Sequence, residues 1–354
     1  MDKYNAQDGL KYYLQRRFNG DHPFDDKRQE FPDGRKNFPK MFSSFEDYMN
    51  DNYHKNVELG AAINGDGLLT NHGIEHVQDV IRHAGDIIDD INQLTGYEIF
   101  ILLISIHFHD VGNLYGREEH EQKIDEIIEK LDTILPLDTA GKNFVNAIAT
   151  AHGGYYKNDK DTIRHIGDDC KYANVLVRQK ALAAILRFAD EISDDFTRSN
   201  FSGKIPEGNE VYHEYSKSLE PVSIEGDAII LHFRIPYNLT KEKVGKGTSK
   251  VFLYDEILNR IAKCMRELEY CKKYADGLIK LKSISVKIDI LREGSNFKII
   301  ENAGDSFRLT LQGYPNEDIC TLESYLETPS VSNDMVKKIR YKDGIELSKA
   351  ELEE

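Results

Sequence analysis

Cysteine is scarce in this sequence and none of it is paired by spacing. Cys170, Cys264, Cys271 and Cys320 form no C-x-x-C pair, which argues against a zinc knuckle and against a disulfide framework. Cys264 and Cys271 stand seven apart on an expected helix, where packing is the expected role. Long apolar runs are missing as well. The longest, Ile99 to Ile106, is far too short to span a membrane. The opening stretch MDKYNAQDGLKYYLQRRF lacks the apolar segment of a secretory signal. The cytosol is therefore the expected compartment, with no membrane partner. Basic residues are in deficit, 46 against 61 acidic ones, for a net charge of −15. Binding along a nucleic-acid backbone rests largely on Lys and Arg, so a polymeric nucleic-acid partner is disfavoured. A small anionic ligand stays open, because a bound metal reverses the local sign. No internal repeat or low-complexity tract is visible. Gly245-Lys246-Gly247-Thr248-Ser249 resembles a phosphate loop only at a glance: Thr240 stands where the earlier Gly belongs, and the Lys is followed by Gly. It reads as a mobile loop.

What is present is ordinary globular material in a chain of 354 residues, long enough for two or three domains. Residues 1–60 are polar, aromatic-rich and broken by Gly, Pro, Asp and Asn, and read as a loosely structured N-terminal arm with short helices. Residues 61–205 are dominated by helical periodicity, with helices expected near 72–92, 97–110, 118–134, 139–152 and 174–195. Residues 206–329 change character. Val222–Glu225 and Ala228–Ile235 flank Gly226-Asp227, a hairpin signal. A long amphipathic helix is expected at about 251–280, and strands at Ser283–Ile290, Asn296–Ile300 and Phe307–Gln312. Residues 330–354 form a charged tail, partly disordered on composition. The expected fold class is mainly α, a helical bundle with an appended smaller α+β C-terminal region.

The chemistry-bearing residues sit on the helices. Plotted at about 100° per residue, the segment His72–Asn92 places Ile74, Val77, Val80, Ile81, Ala84, Ile87, Ile88 and Ile91 on one apolar arc. His72, His76, Asp79 and His83 fall in a narrow arc at its edge. Histidines four apart can converge on one metal, and can equally be a solvated or capping cluster; on one helix alone the latter is favoured. The next helix, Tyr97–Asp110, is nearly all apolar and ends in His109-Asp110, followed by the stop signal Gly112-Asn113. An imidazole beside a carboxylate at the end of a buried segment needs a partner: a cap, an ion pair or a metal. Ala147–Tyr156 delivers His152 just before two glycines. Ala181–Asp195 is an apolar helix that suddenly carries Asp190, Glu191, Asp194 and Asp195, costly unless paired or metal-bound. In the turn after His109-Asp110, Arg117 can grip a phosphate or pair with Glu118 or Glu121, and His120 can donate a proton. His83 reads as supporting or core, and His107 points elsewhere.

His76-x-x-x-Val80, His109-Asp110-Val111-Gly112, His152 and Leu186-Arg187-Phe188-Ala189-Asp190-Glu191, in that order over about residues 60–200, resemble the HD-domain metal-dependent phosphohydrolase superfamily. The resemblance implies an HD-type helical bundle with His76, His109, Asp110 and Asp190 holding a divalent metal. The stretch His72-Gly73-Ile74-Glu75-His76 also resembles the H-N-x-x-H-A motif of cyclic-nucleotide phosphodiesterases. That likeness implies His72 as general acid, although Gly73 replaces the Asn. Some members hold a second ion through further histidines, for which His120 and His152 are the candidates.

Oxygen and imidazole donors without a thiolate suit Mn²⁺, Mg²⁺, Fe or Co, as one ion or two. Such a metal makes hydroxide available near neutral pH and neutralises phosphoryl oxygens. The expected catalytic residues are His72, Arg117 and His120. Arg117, His120 and His152 are the expected phosphate-binding residues, with His152 also a metal candidate. The expected function is hydrolysis of a nucleotide, either a deoxynucleoside triphosphate or a signalling or cyclic nucleotide. The alternatives are a nucleotide-sensing regulatory module without turnover and a nuclease of the same type. A homo-oligomer is compatible with the sequence.

Overall fold

The computed structural model describes residues 8–21, 29–57, 73–115, 123–135, 137–199, 205, 207–275, 277–292, 298–300 and 304–311. His72, Arg117, His120, Cys320 and the charged tail lie outside the described residues. The described residues of 1–65, 72–193 and 270–280 form one compact unit, and those of 194–269 and 281–354 a second.

The first unit is helical. Its helices are α1 (Leu10–Phe18), α2 (Phe38–Met49, continued by a π-helical turn Asn50–His54), α3 (Ile74–Asp86), α4 (Gly96–Phe108), α5 (Ile124–Lys130), α6 (Thr139–Thr150) and α7 (Gln179–Glu191). Helix α4 is the centre, with every residue buried, which its unbroken apolar sequence demands. Against it pack α1, α2, α3, α6 and α7. The arm expected to be loosely structured supplies Leu10, Leu14, Phe38, Phe42, Phe45 and Met49, each at most 2% exposed, to this unit's core. Helix α4 starts on a capping box, Thr95 accepting from the Glu98 backbone while Glu98 accepts from that of Thr95. The buried Glu98 carboxylate also takes a two-pronged grip from Arg178, Nε to Oε1 at 2.8 Å and a terminal nitrogen to Oε2 at 2.9 Å. Arg178 is the residue before α7, so this pair ties the starts of α4 and α7 together.

Three expected elements differ. The helix expected over 72–92 ends at Asp86, because the chain beyond it pairs elsewhere: Lys280 N–H donates to Ile87 O and Asp89 N–H to Leu278 O. The helix expected from 174 begins at Gln179. Val175–Val177 is instead a strand, β2, paired with β1 (Cys170–Tyr172). Val175 and Val177 are buried and Leu176 exposed, the period of two expected of β-branched residues on a half-buried surface. The turn between them uses Ala173 and Asn174 at positive φ, a tight hairpin without the glycine that usually marks one. The helix expected over 118–134 is described as α5 only.

The second unit is α+β. Strands β3 (Ser223–Glu225) and β4 (Ala228–Pro236) form the expected hairpin about Gly226-Asp227, with Gly226 at φ 61°. β4 lies parallel to β7 (Ser283–Arg292), Ala228 opposite Ser283 and Pro236 opposite Leu291. β8 (Lys298–Ile299) and β9 (Asp305–Thr310) both pair antiparallel with β7. Parallel neighbours need a long crossover, and the chain between β4 and β7 supplies a short helix α9 (Asn238–Lys241), a hairpin and α10 (Leu253–Tyr274). That hairpin corrects the mobile loop expected at 245–249. It is β5 (Lys243–Lys246) against β6 (Ser249–Phe252), turning at Gly247 with φ 57°. Helix α8 (Glu210–Ser218) packs on β4 and β5. Cys264 and Cys271 are buried on α10, where packing is their expected role. The fold is thus mainly α with a C-terminal α+β region. Among the described residues no helix is long and apolar enough to cross a membrane.

Candidate metal centre

Four helix ends of the first unit bring the chemistry together. His76 stands in the first turn of α3, His109 and Asp110 follow the last residue of α4, and Asp190 lies in the last turn of α7. His152 follows α6 by two residues. One donor atom from each of His76, His109, Asp110 and Asp190 lies within 4.8 Å of all the others. His76 Nε2 is 3.3 Å from His109 Nε2, 3.2 Å from Asp190 Oδ1 and 3.6 Å from Asp110 Oδ2. His109 Nε2 is 3.3 Å from Asp110 Oδ2 and 3.6 Å from Asp190 Oδ1. His152 approaches from the side, its Nε2 3.7 Å from Asp110 Oδ1. His76, His109, Asp110 and His152 are buried, whereas the Asp190 side chain is 26% exposed.

The donor set fits a divalent cation on three separate grounds. The first is orientation. His109 Nδ1–H donates to Ile106 O and His152 Nδ1–H to Ala149 O, each at 2.6 Å. A neutral ring so held turns the lone pair of Nε2 toward the carboxylates, as a metal-ligating histidine requires. The second is charge. Burial alone would lower the His109 pKa, but the charge and hydrogen bonds of Asp110 and Asp190 outweigh it and raise it to about 10. Burial alone would raise Asp190, but hydrogen bonds from His109 and His76 hold it well below the carboxylate range. The cluster therefore favours positive charge at its centre. The third is the backbone. Helices α4, α6 and α7 present their C-terminal ends here and α3 its N-terminal end; with roughly half an elementary charge at each, negative at C-termini and positive at N-termini, the balance is negative.

The supporting residues explain the placement. His83, near the end of α3, donates through Nδ1 to Ser193 Oγ at 2.8 Å, and that hydroxyl donates to Ala189 O at 2.7 Å. This joins α3 to the end of α7 beside Asp190, the supporting role expected of His83. His107 points away from the cluster, as expected, and meets His54 with 3.0 Å between ring nitrogens, against Phe42 and Phe45. Burial, then the nearby His109 and His76, pushes the His54 pKa down to about 3. Burial, then His54, holds His107 well below the ordinary histidine value.

A second network escaped the sequence reading. Thr162 Oγ1 donates to Ala151 O, one residue before His152, at 2.7 Å and accepts from Arg187 at 3.0 Å. The Arg187 guanidinium lies 4.6 Å from the centre of the Tyr270 ring. Tyr270 and Tyr274 both donate to Asp161 Oδ1, at 2.9 and 2.7 Å. Burial alone would raise the Asp161 pKa, but the Tyr274 and Tyr270 hydrogen bonds outweigh it and lower it. Arg187 was visible as a charge between Leu186 and Phe188; Asp161, Thr162, Tyr270 and Tyr274 stand far from it in sequence, and no local pattern links them.

A model of the HD-CE family matches residues 66–263, a span that includes His76, His109, Asp110, His152 and Asp190. No curated protein and no solved structure matches the chain. With the match running over more than half its length and the ordered His, His-Asp and Asp gathered into one buried cluster, the chain belongs to the HD-CE family.

Proposed function

We propose that this chain is a metal-dependent phosphohydrolase that cleaves a phosphate ester or anhydride of a nucleotide. The helices of its first unit are, on this reading, the HD-type bundle. The observation that carries it is the convergence of His76, His109, Asp110 and Asp190 within 4.8 Å, two imidazoles and two carboxylates brought by three helix ends. Nitrogen and oxygen donors without a thiolate suit Mn²⁺, Mg²⁺, Fe or Co. Such an ion, when bound, supplies Lewis-acid polarisation and a water acidic enough to react near neutral pH.

The chain's own residues supply the rest. Asp190 is the partly exposed ligand, so substrate approaches from its side, while buried His76 and His109 keep water from the far side. His152, with Nδ1 committed to Ala149 O, turns Nε2 toward Asp110 and the phosphate, or toward a second ion. His72, four residues before His76 in the sequence, is the proposed proton donor to the leaving oxygen. Arg117 and His120, seven and ten residues after Asp110 in the sequence, are the proposed phosphate-gripping groups. The acidic excess supports a small nucleotide over a polymer.

The test is a hydrolysis screen of deoxynucleoside triphosphates and cyclic and signalling nucleotides, with product identification, in Mn²⁺, Mg²⁺, Co²⁺ or chelator. Turnover that chelation abolishes and metal restores is the expected result. Tight, metal-replete binding of a nucleotide without turnover of any member of the panel replaces hydrolysis with sensing.

A further inference from the structure

Segment 153–165, which follows His152 directly, carries a feature that the metal chemistry does not use. Tyr155 and Tyr156 are 65% and 45% exposed, consecutive large rings facing solvent. Isolated exposed apolar groups are common, but two adjacent aromatic rings held rigidly beside a site are not explained by packing. They are held rigidly here. Tyr156 and Asp159 exchange both backbone hydrogen bonds at 2.9 Å, closing a two-residue turn in which Lys157 and Asn158 take φ 47° and 70°. Non-glycine residues at such φ persist where surrounding contacts enforce them. Those contacts are present: Asp159 accepts from His165 at 2.7 Å, and the Tyr156 ring stacks on the His165 ring at 4.6 Å. Beyond the turn, Asp161 is anchored by Tyr270 and Tyr274.

Tyr156 is thus the buttress, and Tyr155, 65% exposed, carries Lys160 over one ring face and turns the rest to solvent. Lys160 Nζ lies 5.3 Å from the centre of the Tyr155 ring and Lys157 Nζ 5.2 Å from that of Tyr156. An exposed ring with ammonium groups close by matches a planar base joined to a phosphate: the ring's solvent-facing side stacks on the base and the flexible lysines turn to the anion. Reach permits this. Tyr155 is three residues from His152, so their Cα atoms are at most about 11 Å apart, roughly the span of a nucleotide from phosphate to base.

We propose that Tyr155 is the stacking platform for the base of the nucleotide whose phosphate lies at the His76–His109–Asp110–Asp190 centre, with Lys157 and Lys160 facing its remaining anionic oxygens. The inference rests on the nucleotide-hydrolase reading above. It assigns base binding to a single exposed ring, so discrimination among bases is weak and discrimination against baseless phosphates is strong.

The sequence contains no tryptophan, so Tyr155→Trp in the full chain creates a lone reporter at the platform. AMP, GMP, CMP and UMP are titrated into the metal-loaded variant, with ribose 5-phosphate as control, following Trp emission and heat together. The expected result is quenching by the nucleoside monophosphates and none by ribose 5-phosphate. In parallel, Tyr155→Ala should raise KM for the best nucleotide of the hydrolysis panel by roughly 10- to 100-fold with kcat essentially unchanged. Binding heat without any change in emission, or an unchanged KM in Tyr155→Ala, overturns the platform and leaves the nucleotide reading standing. No heat from any monophosphate, together with no turnover across the panel, overturns both.

Discussion

Asp110 faces two ways: Oδ2 lies near His76 and His109, and Oδ1 near His152. The His109 ring also meets that of His152, with centroids 5.1 Å apart, so Asp110 joins His76, His109 and His152 through its two oxygens. Its replacement therefore separates assembly of the centre from folding of the bundle. Asp110→Ala should lose bound metal, measured per mole of protein by elemental analysis, and all metal-dependent turnover, while the far-ultraviolet circular dichroism stays that of a helical protein. Retention of a full equivalent of metal would remove Asp110 from the ligand set. His72→Ala, His120→Ala and Arg117→Ala should instead keep the ion. At least one of the two histidine changes should slow turnover by ~10²–10⁴-fold, the usual effect of removing a proton donor. Normal rates in both would mean that another group protonates the leaving oxygen, and loss of metal from the His120 variant would place it in the coordination shell. His109, Asp110 and Asp190 were legible in the sequence because each is chemically out of place: His109-Asp110 closes an apolar run and Asp190 interrupts another, so burial without a partner would be costly. Asp161, Thr162 and Tyr270 were not, because each is an unremarkable residue until distant chain segments meet.

At the scale of elements, the centre depends on how α3, α4, α6 and α7 are held in register. The Glu98–Arg178 pair clamps the starts of two of them, and Glu98 is fully buried. Removing one partner of a buried pair leaves the other uncompensated. Glu98→Ala should therefore cost about 3 kcal/mol in denaturant unfolding, whereas Lys55→Ala, in the exposed Asp51–Lys55 pair, should cost at most about 1 kcal/mol. Equal effects would show that the clamp is not what sets the register. The His54–His107 contact gives a pH signature. Both rings are held neutral in the folded chain, His54 down to about pH 3, whereas the unfolded chain binds those protons near pH 6.5. The unfolded state thus takes up more protons, and stability falls as pH drops from 6.5 toward 3, by at most roughly 1.4 kcal/mol per pH unit for each ring. Denaturation of the His54→Leu/His107→Leu double variant should show a shallower loss over this window, and an unchanged slope would contradict the pair's neutrality. Periodicity revealed α4, α6 and the Gly226-Asp227 hairpin, where local pattern and tertiary structure agree. It misplaced the end of α3 and missed strands β1 and β2. There, backbone partners at 278–280 and a glycine-free Ala173-Asn174 turn decided the outcome, and neither leaves a local trace.

For the whole molecule, charge and architecture bear on the kind of ligand. With 61 acidic residues against 46 basic ones, duplex DNA should show no measurable retardation at physiological salt. Binding that weakens steeply with rising salt would instead reveal phosphate contacts along a polymer and revive the nuclease alternative. The α+β unit, with β4 and β7 parallel at its middle, could not be given a role from composition, because a sheet of this kind hosts many functions. The claim on which the proposed chemistry depends is that one site on the helical unit takes the ion. Anomalous scattering from crystals grown with Mn²⁺ tests it most directly. The predicted result is a peak coordinated by His76, His109, Asp110 and Asp190 at about 2.0–2.3 Å. A peak elsewhere with none at this cluster, or any two of these four side chains turned away from a shared centre, would contradict it.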